Sequence, residues 1–183
     1  MNSKKITYSL AFALLCGCST PAPPPAPPLP STTSATAVKL TVTDLKALDE
    51  ANQWCSWMIA LSGLAANHSN QSVYQRYGAE ILSDYQKQQK AISDIVSKKS
   101  INLTSSYPVT YQKRLTLLKK RYGKSFDRYF ERELAKSLPK TLNEFSKENE
   151  QKKLGSDVAT ILKNLIKSAD IYRKQAQDLM KYE

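Results

Sequence analysis

From residue 43 onward, apolar side chains recur every three or four positions, the period that lines one face of an α-helix. Thr43 or Asp44 opens a first helix reaching about Asn67, with Leu45, Leu48, Cys55, Ile59 and Ala66 on one side. A second, from about Gln71 to Lys98, steps through Val73, Tyr77, Ile81, Tyr85, Gln88, Ile92 and Ile95, which is a bundle seam. Residues 101–108 read as loop, and 109–122 as a short helix with Tyr111, Leu115, Leu118 and Tyr122 on one side and mostly Lys and Arg on the other. Ser125 then caps a helix to about Glu150, with Phe126, Phe130, Leu134, Leu138, Leu142 and Phe145 inward and a kink expected at Pro139. Ser156 caps the last, which turns Val158, Ile161, Leu162, Leu165, Ala169, Tyr172, Ala176 and Leu179 inward.

The first helix carries a second apolar stripe, Trp54, Trp57, Leu61 and Leu64, roughly opposite its Leu48, Cys55 and Ile59 face. A helix apolar nearly all round is either covered on both sides or offers a binding surface. Two expectations follow: the short helix covers the stripe with Leu115 and Leu118, or the stripe receives a partner protein or lipid. The connection between the second and fourth long patterns is too long for a turn and long enough to run back along a bundle. The expected fold is all-α, a four-helix ferritin-like bundle with one long crossover carrying a short extra helix.

Before residue 43 the pattern changes character. Lys4 and Lys5 precede an apolar run from Ile6 to Leu15, too short to span a bilayer, which ends in Leu15-Cys16-Gly17-Cys18. This ending resembles a bacterial lipobox, with Leu three residues before the modified cysteine and small Gly17 directly before it. Cys18 is therefore the expected lipidation site, acylated with chains such as palmitate, and this covalent lipid is the sole cofactor expected. Ser19 in place of aspartate fits routing to the outer membrane, with the domain facing the periplasm or, failing that, the exterior. Pro21 to Pro30 reads PAPPPAPPLP, an extended spacer of polyproline type. The expected organisation is a signal peptide at 1–17, the lipidated cysteine and tether at 18–38, and a helical domain at 39–183.

Charge adds one uneven feature. The chain has 27 Lys and Arg against 16 Asp and Glu, and removing Lys4 and Lys5 leaves 25 against 16, a net of +9. Between Gln86 and Lys124 stand ten bases and one acid, Asp94, which is also +9. The candidate anionic-surface patch is Lys113, Arg114, Lys119, Lys120, Arg121 and Lys124, its partner an anionic lipid surface or an acidic envelope polymer. Because the second helix returns antiparallel to the first, this basic segment is expected to begin at the tether end of the bundle. Nucleic acid is a disfavoured partner for an exported chain, and would require a DNA-transfer setting.

The order of features resembles the DUF4142 family of secreted bacterial proteins, which has no known function and belongs with ferritin-like bundles. The resemblance runs from about Thr43 to Leu179. It is carried by the Gly123-Lys124-Ser125-Phe126-Asp127-Arg128 segment, Phe145, the Leu162-to-Leu179 helix, and the Leu61-Ala65-Ala66 and Val73-Tyr77 steps. The family pattern places histidines where this chain holds Tyr85, Leu138 and Ser168, so the resemblance implies that any metal or proton chemistry has lost its side chains here.

The residues themselves point the same way. A dimetal bundle needs Glu-x-x-His pairs, yet Ala65 stands three residues before His68, the chain's one histidine. Cys55 and His68 are too far apart on one helix to form a nucleophile and base. His68 is expected as a solvated helix-end residue, Cys55 as core, and Asp127, Glu131 and Glu133 as a solvated charged face beside Arg128 and Arg132. No catalytic and no metal residue is assigned. The function expected is that of a lipid-anchored envelope lipoprotein, a binding or structural module rather than an enzyme. A ferritin-like, metal-dependent or stress-related enzyme is the alternative from another class.

Overall fold

The computed structural model describes residues 39–181. The signal, Cys18 and the proline-rich tether lie outside the described residues. Six helices follow one another: α1 Val42–Ser62, α2 Ala65–His68, α3 Ser72–Ser97, α4 Val109–Leu118, α5 Gly123–Gln151 and α6 Ser156–Met180. The first begins earlier than its pattern suggests, because Thr41 closes a capping box with Asp44: the Asp44 N–H donates to Thr41 Oγ1 at 3.1 Å and the Thr41 N–H to Asp44 Oδ2 at 2.9 Å. It also ends earlier, at Gly63, and α2 is a separate turn. The short helix stops at Leu118, and α5 starts at Gly123 rather than after Ser125, with φ +53 at Gly123, a value that favours glycine. α5 runs unbroken through Pro139.

Contacts between helices fix the topology. Gln89 Nε2 donates to Asn52 Oδ1 at 3.2 Å, and the start of α3 lies against the end of α1, so α1 and α3 are antiparallel. Gly78 of α3 lies very close to the α1–α2 corner: a Cβ added to it would lie 2.3 Å from the Ala65 Cβ of α2 and 2.9 Å from Ser62 O of α1. Gln71 reaches Asp127 and Tyr74 reaches Glu131, which makes α3 and α5 parallel. α6 returns along α3, with the Tyr77 hydroxyl donating to Tyr172 O at 2.6 Å and Gln88 Nε2 to Ser168 Oγ at 2.9 Å. The Gly155 N–H donates to Asp44 Oδ1 at 2.8 Å, tying the beginnings of α1 and α6. The order is up, down, down, up. Two parallel neighbours in sequence require a crossover, and the segment through α4 supplies it, as in ferritin-like bundles.

The crossover is pinned to α1 and then packs against both α1 and α5. Asn52 Nδ2 donates to Thr104 O and the Thr104 N–H donates to Asp49 Oδ1, each at 2.7 Å. Tyr111 stacks on Trp57 at 4.8 Å between ring centroids, and Tyr107 meets the same indole edge-on at 5.8 Å. Trp54, Trp57 and Leu61 are consequently buried and Leu64 half-buried. Of the two expectations, the open partner stripe is thereby corrected: Trp54, Trp57 and Leu61 are core, and the crossover lays Tyr107 and Tyr111 on the two indoles. Enclosure on two sides also displaces the predicted face of α1, since Leu45 and Ile59 are half-buried and Ala66 exposed while Ala47, Ala51 and Met58 are fully buried. The inward positions predicted for α6 are buried from Val158 to Ala176, with Leu179 at the margin.

Candidate functional site

The exposed side of α4 and of the turn after it includes residues three or four apart, Val109, Lys113, Leu117 and Lys120. Leu117 is 54 % exposed, and Tyr122, just past the helix, 64 %. Exposed apolar side chains thus alternate with lysines. Of the six basic patch residues, Lys113, Lys119, Lys120 and Lys124 are exposed. Arg114 and Arg121 are not free members. Arg114 Nη1 lies 3.3 Å from Glu133 Oε2 on α5, and Arg121 stacks its guanidinium on the Tyr129 ring at 3.4 Å while Nη1 donates to Ser125 Oγ at 3.2 Å. Nor does the patch sit together at one end. Lys98 and Lys99 close α3 beside the start of α1, whereas α4 carries the chain away, so that Arg121 and Gly123 lie against His68 and Asn70 at the opposite end.

Two hollows flank α5. At its start, Lys124, Ser125, Arg128, Tyr129 and Arg132 line a cavity of about 330 Å³. The three bases are spaced i, i+4, i+8 and share one face. The acids of this segment turn the other way: Asp127, Glu131 and Glu133 are buried, which corrects the expectation of a solvated acidic face. Asp127 Oδ2 accepts from Gln71 Nε2 at 3.0 Å, and the Tyr74 hydroxyl donates to Glu131 Oε1. At the other end, a cavity of about 460 Å³ between α1 and α5 has Trp54, Tyr111 and Phe145 among its walls and Glu50, Glu144 and Glu148 among its polar groups. Burial raises the Glu50 pKa, and the charge of Glu148 and a hydrogen bond shared with it raise it further. This pair is far apart in sequence, on two helices, and no motif announced it.

His68 is half-buried rather than solvated. Its Nδ1 lies 2.7 Å from Arg121 O, so Nδ1 carries the proton it donates, and its ring stacks on Tyr122 at 4.4 Å. It latches the crossover to the α2 turn. Cys55 is fully buried in the core, and burial pushes its thiol pKa far up, so it is an inert thiol. Among the described residues no three His, Cys, Asp or Glu side chains are placed to hold a metal ion, and no helix is long and apolar enough to cross a membrane.

With the fold in place, the class can be stated: an all-helical bundle with one crossover. The chain belongs to the family described as domain of unknown function DUF4142, whose model matches residues 29–179. No curated protein and no solved structure matches it. Tyr85 and Leu138 are fully buried, and Ser168 accepts a hydrogen bond from Gln88. Asp84, Gln88, Ser168 and Tyr172 line a further hollow of about 480 Å³ between α3 and α6.

Proposed function

We propose that the chain is a lipid-anchored envelope lipoprotein whose helical domain is a non-catalytic binding module, laying the outer face of α4 on anionic lipid headgroups. The observation that carries this reading is the alternation along α4 and the turn after it of exposed Val109 and Leu117 with Lys113 and Lys120. Apolar side chains enter the headgroup boundary while lysines meet its phosphates. A soluble polyanion would use the lysines and leave Leu117 without a purpose. Each Lys near an anionic surface contributes about 1 kcal/mol, so the face sets orientation on a membrane that the acyl chains already hold.

The test uses the chain from Ser19 onward, which lacks both the apolar run before Cys18 and the acylated cysteine, with its helicity checked by circular dichroism. Co-sedimentation with phosphatidylglycerol vesicles is expected, weakening as salt shortens the Debye length below about 10 Å. Lys113→Glu with Lys120→Glu should abolish it, and Leu117→Ser should weaken it. Equal vesicle binding by all three proteins at low salt would refute the reading; binding to a soluble polyanion but not to vesicles would assign the face to an acidic polymer.

A further inference from the structure

We infer that the middle of the crossover, residues 105–120, is a strap that an anionic lipid surface lifts off α1 and α5, a step that rests on the membrane-facing reading of α4. The crossover is fastened at its two ends. Near its start the Thr104 N–H donates to Asp49 Oδ1 and Thr104 O accepts from Asn52 Nδ2, each at 2.7 Å, and near its end His68 Nδ1 donates to Arg121 O, also at 2.7 Å. Between these pins, among the described residues, packing and the Arg114–Glu133 ion pair hold it down. Just outside the pins stand Ser100 and Gly123, the two described residues with positive φ, each at +53. Each corner interrupts the helix beside it, so a movement of the strap need not be carried into α3 or α5.

What lies beneath the strap favours its release. Trp57 is fully buried, and its indole N–H has no hydrogen-bond partner. On α5, Glu133, Ser137 and Thr141 share one face; Glu133 meets Arg114 and Thr141 lines a hollow with Tyr111, so Ser137 stands under the strap between them. Ser137 is buried and its hydroxyl also has no partner. A buried polar group left unpaired raises the free energy of the closed state, and hydration on opening removes that penalty. In water, lifting would bare Tyr111, Leu115, Leu118 and both indoles, which keeps the strap closed. Against a bilayer, those inward side chains join Leu117 in the headgroup boundary, and the indoles come to rest at its level, where a ring with a polar edge is favoured. The lipid surface therefore binds the open form better than the closed one, and that difference is what moves the equilibrium.

The test is quenching of indole fluorescence by phosphatidylglycerol vesicles brominated on their acyl chains close to the headgroup, using the chain from Ser19 onward, whose two tryptophans are Trp54 and Trp57. A closed strap keeps α4 between the indoles and the lipid, whereas an open one brings them to the bromine. Emission is expected to be about halved relative to unbrominated vesicles, at lipid concentrations where co-sedimentation is complete. Glu133→Gln, which frees Arg114 without touching Lys113 or Lys120, should reach half-maximal quenching at severalfold less lipid. Cys55, the one cysteine in this chain, is fully buried in the core and reports melting of the bundle, so its labelling by a thiol reagent should be as slow with vesicles as without. Co-sedimentation with unchanged emission would overturn the strap and leave the membrane-facing reading standing, while absence of co-sedimentation would overturn both. Quenching accompanied by rapid Cys55 labelling would also overturn the strap, since the whole bundle would then have opened.

Discussion

The first and last turns of α5 differ in charge, Lys124 standing in one and Glu148 and Glu150 in the other, and each is the wrong way round for a helix. Amides at a helix start favour acids and carbonyls at its end favour bases, worth about 0.3–1 kcal/mol per charge. The partner α6 follows this rule at its start with Asp157, and α1 does so with Asp44. α5 has no acid in its first turn and no base in its last. At its start the bases Lys124, Arg128 and Arg132 are exposed while Asp127, Glu131 and Glu133 are buried, and Glu148 near its end is paired with Lys152 beyond it. The lesson is that α5 is held by its buried face, Phe126, Phe130, Leu134, Leu138 and Phe145, which leaves its exposed charges to serve something other than stability.

The sharpest way to break this comparison is to attack the buried face. Phe130→Ala should cost about 3–5 kcal/mol in chemical unfolding, because its ring is fully enclosed between Phe126 and Tyr77. A loss below about 1 kcal/mol would mean that surface charge matters more than burial. Next in size is Asp44→Ala, which removes the capping box and the Gly155 tie at once, an expected cost of about 1–3 kcal/mol. Burial alone would raise the Asp44 pKa, yet hydrogen bonds from Gly155 and Thr41 outweigh it and hold the group below the ordinary range. Its contribution is therefore present above the unfolded pKa and disappears as pH falls through the lower folded value. Unfolding curves of native and variant should converge in that acidic window.

Smaller effects probe the charges themselves. Lys124→Glu should stabilise the fold by about 0.3–1 kcal/mol, since it restores the acid that a helix start prefers. A destabilised variant would show that the bases at this end are structural. Smallest is Glu50→Gln, expected to gain a few tenths of a kcal/mol at neutral pH by relieving the Glu148 contact. The folded Glu50 pKa is raised, so its ionisation burdens the folded state above that pKa and ceases to do so below it. The advantage of Gln should fade on acidification, as thermal melts at two pH values would reveal.

Much of the bundle was legible because α3, α5 and α6 each bury one side, and a one-sided helix writes its period into the sequence. α1 hid its orientation for the opposite reason. Covered by α3 on one flank and by Tyr107 and Tyr111 on the other, it is apolar in most directions, and periodicity cannot rank faces that are all buried. The basic residues were visible as a run but not as a surface: nothing local says that Arg114 pairs with Glu133, or that Arg121 lies on Tyr129, because those partners come from the following helix. Glu50 and Glu148 were illegible for the same reason. Asp127, Glu131 and Glu133 misled because acids near a helix start normally face water, whereas here Gln71, Tyr74 and Arg114 supply the donors that make burial tolerable.

The crossover has a consequence in time. At ten residues, without a side-chain cap, α4 is too short to persist as a helix in water by itself, and its order derives from Trp54 and Trp57 beneath it. α1 with α3 and α5 with α6 share the most extensive contacts while α4 touches its neighbours sparsely, so the crossover is expected to open more readily than those pairs. Its amide hydrogens should exchange with solvent ahead of those in α5 and α6. Each such opening uncovers Trp54 and Trp57 together, making indole fluorescence a clock for the opening of the crossover.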